Sequence, residues 1–180
     1  MSNSLKINVV TIPEEGRSFA FSGDAKWFRE SFPESGDVDF SLRKVDVTFQ
    51  ITKTSSTVFI RGSLAAIIGI ACSRCLEDAD LTVGGDFAYT LVPLTPETRE
   101  ELELRAEDLE VSSYQGDFID LAPIIYEQII LQIPIKPLCS QDCKGLCPHC
   151  GANLNVAPCN CATDIVDDRL AILKNFKIKH

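Results

Sequence analysis

The chain has 180 residues, is 45% hydrophobic and carries a formal net charge of −9. That length allows one ordinary core plus an appended module, so metal is not needed merely to fold, as it is in a short peptide. The acidity excludes a protein that coats nucleic acid by general attraction, because such affinity comes largely from lysine and arginine on phosphates.

The N-terminal residues lack a charged-then-apolar signal pattern, and the longest apolar run, residues 64–72 broken by Gly69, is far too short to span a bilayer. The expected location is cytoplasmic. Charge is unevenly placed: residues 76–138 hold fourteen acidic and three basic side chains, while the segments before and after are nearly balanced.

Leu5, Ile7 and Val9 predict a short leading strand. Asp24 is placed to cap a brief helix over residues 25–31 that carries Trp27 and Phe28. Val45, Val47, Phe49 and Ile51 alternate with Asp46, Thr48 and Gln50, the period of a half-buried strand. Residues 54–57, Thr-Ser-Ser-Thr, are a polar break of hairpin length. The next strand, about 58–71, is apolar on both faces toward its end (Leu64, Ile67, Ile68, Ile70), which predicts a central position. A third strand has Leu81, Val83, Phe87, Tyr89 and Leu91 in one phase, and Gly84-Gly85 suggests a bulge.

Residues 93–116 read as irregular, with a helical turn as an option over 96–108. Their acidic side chains, among them Glu97, Glu100, Glu101, Glu103 and Glu110, read as a solvated excursion or as a docking surface for a basic partner. Asp120 is placed to cap a helix running to about Leu131, with Pro123 tolerated in the first turn and Pro134 stopping it. Leu121, Ile124, Ile125, Gln128, Ile129 and Gln132 recur at helical spacing and should pack on the sheet. A last helix is expected after Asp167 or Asp168, carrying Leu170, Ile172, Leu173 and Phe176, with Lys174, Lys177 and Lys179 toward its C-terminus as the helix dipole favours.

The elements predict an α+β fold: an antiparallel sheet packed by one or two helices, with a C-terminal cysteine-rich, zinc-binding module. Residues 1–136 form the core domain and 137–180 the module with its helix, together one compact unit.

Eight cysteines carry the functional signal. Six lie at Cys139, Cys143, Cys147, Cys150, Cys159 and Cys161, and two more form the turn Cys72-Ser-Arg-Cys75. In a reducing compartment such spacings mark metal ligands more often than disulfides, because four thiolates from two short turns satisfy a soft divalent ion. Cys147-Pro-His-Cys150-Gly151 has the form of a zinc knuckle, whose x-x spacing faces both sulfurs to one ion and whose glycine permits a left-handed backbone. Spacing pairs it with Cys159 and Cys161. Cys72 and Cys75 fall at the expected hairpin tip, where they would pair with Cys139 and Cys143. Other pairings, or a six-cysteine cluster, fit the same spacings. One or two zinc ions are implied, with an iron–sulfur cluster as the alternative; two full zinc sites would take the net charge from −9 to about −13. His149, inside a knuckle, reads as an exposed spacer.

No glycine-rich phosphate loop, nucleophile elbow or histidine-containing metal motif occurs, and no small-molecule substrate is evident, so no enzymatic activity is expected. Cys-Pro-His-Cys also serves some thiol oxidants, but there a helix begins at the first cysteine and lowers its pKa; here Pro137 and polar residues precede it and Gly151 follows. The spacing Cys143-x3-Cys147-x2-Cys150 matches the cluster of radical enzymes that cleave adenosylmethionine, which need a large barrel that this chain cannot supply.

Three strings resemble the YceD-like family, named for accumulation of large-subunit ribosomal RNA. They are Cys72-Ser-Arg-Cys75; the stretch from Gly116-Asp-Phe-Ile-Asp120 to Leu131-Gln-Ile-Pro134; and Cys143-Lys-Gly-Leu-Cys147-Pro-His-Cys150-Gly-Ala-Asn-Leu-Asn155 with Asp168-Arg-Leu-Ala171. The resemblance implies a bacterial or plastid factor for synthesis, processing or stability of that RNA (ribosome biogenesis), without known catalysis. Its partner would be large-subunit ribosomal RNA or a ribosomal or assembly protein. Arg74, Lys144 and Arg169 lie beside the cysteines as candidates for local phosphate contact or for pairing with nearby thiolates and carboxylates. The competing expectations are a thiol or iron–sulfur redox protein and a protein-interaction adaptor without direct RNA contact.

Overall fold

Period-two alternation is the organising pattern of the molecule, and three long strands follow it. The structure is a computed structural model and describes residues 5–33, 39–94 and 111–161. In chain order the elements are β1 (Lys6–Asn8), β2 (Arg17–Asp24), α1 (Ala25–Ser31), β3 (Phe40–Thr54), β4 (Thr57–Ala71), β5 (Asp78–Pro93), β6 (Val111–Tyr114), β7 (Phe118–Asp120) and α2 (Ala122–Gln132). The main sheet has the order β2-β3-β4-β5-β6, antiparallel except for the parallel β5–β6 pair, and β1 pairs with β7 as a separate ribbon. The fold is α+β, as the sequence predicts.

The inner face of the sheet is apolar by alternation: Val45, Val47, Phe49 and Ile51 from β3 meet Val58, Ile60, Leu64, Ala66 and Ile68 from β4 in one core cluster. β4 is the central strand, with β3 and β5 on either side. Ser55 and Ser56 alone join β3 to β4, and Ser55 takes a positive φ of 56° to close that tight hairpin.

α2 covers the inner face where Ile124, Ile125 and Ile129 are buried, and Gln128 donates from Nε2 to the Tyr89 hydroxyl at 2.7 Å. That bond satisfies the buried amide, which would otherwise be costly. The helix starts at Ala122. Leu121 is the formal cap residue, while the Asp120 carboxylate reaches one position on to accept from Ala122 N at 3.0 Å. Expectation and structure thus agree on the helix and differ by one residue on its cap. α1 is capped by Asp24, whose side chain accepts from Lys26 N and Trp27 N. The two helices meet through aromatics: Tyr126 stacks on Phe32 with centroids 4.8 Å apart and lies 5.7 Å from Phe28.

Two expectations are corrected, and one strand is new. No bulge occurs at Gly84-Gly85, where the β4–β5 register runs unbroken through Leu64↔Gly85 and Ala65↔Gly84. These glycines answer to crowding instead: a Cβ on Gly84 would strike the Leu64 carbonyl oxygen, and one on Gly85 would stand 2.9 Å from the Gln132 amide. The bulge lies in β3 at Arg43, between Leu42 and Lys44, and sends Arg43 Nε to Asp80 Oδ1 at 3.2 Å. The stretch read as irregular contains β6, whose backbone completes the ladder of β5 and whose Tyr114 hydroxyl donates to Ser56 O at 2.7 Å. β2, with Phe19 and Phe21 facing the core side, was not anticipated at all. The optional turn at 96–108, the acidic run from Glu97 to Glu110 and the last helix with Arg169 lie outside the described residues.

Candidate metal centre

The β4–β5 hairpin ends in a six-residue tip, Cys72 to Glu77, between Ala71 and its partner Asp78. Cys72 continues the inward phase of β4, so alternation alone turns its sulfur toward the side where the chain returns after α2. Pro134 and Pro137 forbid helix there, and the Pro137 carbonyl accepts from Ser73 N at 2.8 Å, docking the returning segment on the tip.

Two thiol groups result. Cys72, Cys75, Cys139 and Cys143 form one, and Cys147, Cys150, Cys159 and Cys161 the other; within each, the sulfurs all lie within 4.8 Å of one another. They are the sets that hairpin-tip and knuckle spacing pair. All eight cysteines are free thiols. In the first group Cys72 and Cys143 sulfurs are 3.8 Å apart and those of Cys75 and Cys139 3.7 Å. A disulfide needs about 2.05 Å, so these are not bonded pairs. A tetrahedral ion about 2.3 Å from each thiolate separates neighbouring sulfurs by about 3.8 Å, so the donor set fits one such ion. A cubane iron–sulfur cluster places each cysteine on its own iron and spreads the four sulfurs wider than this.

The two Cys-x-x-Cys turns are built alike. Leu76 N donates to Cys72 O and Gly151 N to Cys147 O, both at 2.9 Å. Cys72 N donates to Glu77 O and Cys147 N to Ala152 O, at 2.9 and 2.8 Å. Both turns therefore aim amides at the first sulfur of the pair. The N–H groups of Cys139, Cys75 and Arg74 lower the Cys72 thiol to about 6, and those of Cys150 and His149 lower Cys147 to about 6. Four thiols this close do not all ionise alone. The adjoining Cys143 sulfur pushes Cys139 up to about 12, and the adjoining Cys150 sulfur does the same to Cys161. A divalent cation resolves that conflict by neutralising the thiolates together.

The groups differ in burial. Cys72, Cys75 and Cys143 are buried with Leu138 and Leu146 packed against them, and Cys139 is exposed. In the second group only Cys147 is buried. Asn155 donates to Cys143 Sγ at 3.3 Å and is the main cause that holds this thiol below its usual range. Arg74 Nη1 donates to Cys143 O at 2.9 Å, which gives it a local structural partner. His149 is exposed and belongs to neither group. No helix follows Cys147 before Cys161, so the helix-borne activation of thiol oxidants is absent among the described residues. Sequence reading missed Asn155, which is one of several polar residues between knuckles and carries no spacing signal. It also missed Leu76, a bulky residue in a left-handed conformation, φ 60°.

Comparison with known proteins gives one family. The sequence model described as "Large ribosomal RNA subunit accumulation protein YceD" matches residues 60–177, a span that includes all eight cysteines. An uncharacterized protein of Mycobacterium tuberculosis is 31% identical over 114 residues, 63% of this chain and 53% of its own. A chloroplastic protein of Arabidopsis thaliana, "Large ribosomal RNA subunit accumulation protein YCED homolog 1", is 24% identical over 155 residues, 74% of this chain and 48% of its own. An uncharacterized Bacillus subtilis protein is 38% identical over 71 residues, 39% of this chain and 41% of its own. This chain thus spans about half the length of the curated relatives it matches. No solved structure matches. Among the described residues no helix is long and apolar enough to cross a membrane.

Proposed function

This chain belongs to the YceD family of large ribosomal RNA subunit accumulation proteins, and from that membership we propose that it is a non-enzymatic, zinc-binding factor for large-subunit ribosomal RNA. Its eight thiolates hold two zinc ions as scaffold. Zinc is the reading that four sulfurs around one tetrahedral centre support best in a reducing compartment such as the cytoplasm. The first ion fixes the hairpin tip to the segment after α2; the second closes the tail upon itself.

The charge distribution supports action through a ribosomal or assembly protein, with RNA contact local at most. The acidic residues of 76–138 suit a basic partner, and two four-thiolate zinc sites make the chain more acidic still.

The observation that carries this reading is that the family match spans both thiol groups. The test is deletion of the gene in its host, with rescue by the full chain or by a Cys72→Ser, Cys75→Ser variant. A fall in the ratio of large- to small-subunit ribosomal RNA, restored by the full chain and not by the variant, is the expected result. An unchanged ratio on deletion rules out the ribosomal role. Rescue by a variant that has lost its first metal site leaves the ribosomal role standing and removes the metal from it.

A further inference from the structure

Residues 143–147 belong to both metal sites, with Cys143 in the first and Cys147 in the second. This short segment is gripped from two sides. From the hairpin tip, Arg74 holds the Cys143 carbonyl, and Leu146 N donates to Arg74 O at 3.1 Å. From the turn that links Cys150 to Cys159, Gly145 O accepts from Leu154 N at 2.9 Å, and Leu146 forms an isolated antiparallel bridge with Asn153. One side chain crosses from the second site to the first. Asn155 accepts from Lys144 N through Oδ1 at 2.7 Å and donates through Nδ2 to Cys143 Sγ at 3.3 Å. It is braced by Asn153 Oδ1, which accepts from Asn155 N at 3.0 Å and Nδ2 at 2.9 Å.

We infer that Asn155 is a positioning residue that couples the two sites, so that an ion on Cys147, Cys150, Cys159 and Cys161 tightens the Cys72, Cys75, Cys139 and Cys143 site. This rests on the metal reading above. The Asn155 turn is mostly exposed and held by a few backbone hydrogen bonds at its base, and an ion shared by Cys150 and Cys159 ties its two ends together as well. Once it is ordered, the amide that disperses charge from the Cys143 thiolate is already in place, and the first site no longer bears the cost of ordering it. Linkage makes the effect reciprocal: an ion in the first site tightens the second by the same factor. The sign is diagnostic, because two dianionic four-thiolate sites repel and electrostatics alone would make the second ion bind more weakly.

The test is titration of the reduced, metal-free full chain with cobalt(II) against a chelator of known affinity, read by thiolate-to-cobalt absorption. The wild-type chain should take two ions, the second more tightly than independent sites allow, by a factor within the roughly 5- to 150-fold range typical of coupled sites. Cys159→Ser with Cys161→Ser should take one ion, weakened by that same factor. Asn155→Ala and Asn155→Asp should take two ions without coupling. The aspartate keeps an acceptor for Lys144 N and loses the donor to sulfur, so coupling retained in Asn155→Asp overturns the role given to that donor. Two independent ions in the wild type, or a weaker second one, overturn the inference alone. A wild-type chain that takes up no thiolate-bound cobalt overturns the metal reading and this inference together.

Discussion

Leu76 and Gly151 occupy equivalent places, each following the second cysteine of a Cys-x-x-Cys turn and each donating its N–H to the first cysteine's carbonyl at 2.9 Å. Both have left-handed backbones, with φ of 60° and 72°. Glycine adopts that conformation freely, whereas a residue with a Cβ costs roughly 1–2 kcal/mol there. Gly151→Val should therefore lower the stability of the loaded protein by about 1–2 kcal/mol or more. Leu76→Gly should raise it by up to about 1 kcal/mol, strain relief outweighing the extra freedom of the unfolded glycine. Thermal unfolding with zinc in excess checks both, and a destabilised Leu76→Gly chain would show that the leucine contributes packing that its exposure conceals.

Ile125 is fully buried on α2 against the sheet. Ile125→Ala should cost about 2–5 kcal/mol by lost transfer energy plus the cavity left behind. Denaturant unfolding measures this, and a cost under about 1 kcal/mol would mean that α2 is not a structural part of the core.

Removing the metal should have a local effect. The main core cluster contains no cysteine, and the cluster of Cys72, Cys75 and Cys143 is separate from it. A chelator should leave the β-sheet circular dichroism nearly unchanged while exposing the chain after Pro134 to protease. Global loss of the sheet signal on chelation would show instead that the ions hold the whole fold.

Metal affinity should rise with pH, and the sign follows from the thiols. Near neutral pH Cys72 and Cys147 are largely ionised at about 6, whereas Cys139 and Cys161, at about 12, hold their protons. Cys75 and Cys159 are also shifted upward. Loading a site at pH 7 should thus release at least two protons per ion, those of Cys75 and Cys139 or of Cys159 and Cys161, and below pH 6 more, as the low thiols protonate too. Calorimetry in buffers of different ionisation enthalpy counts them; no proton release would mean the thiols are not the ligands.

Alternation and spacing explain what was legible in the sequence. The period-two pattern located β3, β4 and β5, because one face of each strand is buried and the other is wet, while apolar residues on both faces near the end of β4 marked its central place. Asp24 located α1, since a carboxylate before an apolar run satisfies orphan amides. Cysteine spacing marked both turns. β6 was hidden because its four residues are exposed or half-exposed and it owes its shape to the open edge of β5. The bulge was misplaced because a glycine pair carries the same signal for a bulge as for close backbone approach, and here the Leu64 carbonyl and Gln132 decide. Asn155 and Leu76 were invisible because their roles come from what the folded chain brings beside them.

The central claim is that sulfurs from distant turns close around single ions. Elemental analysis with X-ray absorption on the full chain, purified under reducing conditions, tests it most directly. The account predicts two zinc ions per chain, each with four sulfur neighbours at about 2.3 Å. Iron with inorganic sulfide, nitrogen or oxygen in the first shell, or no stoichiometric metal would contradict it.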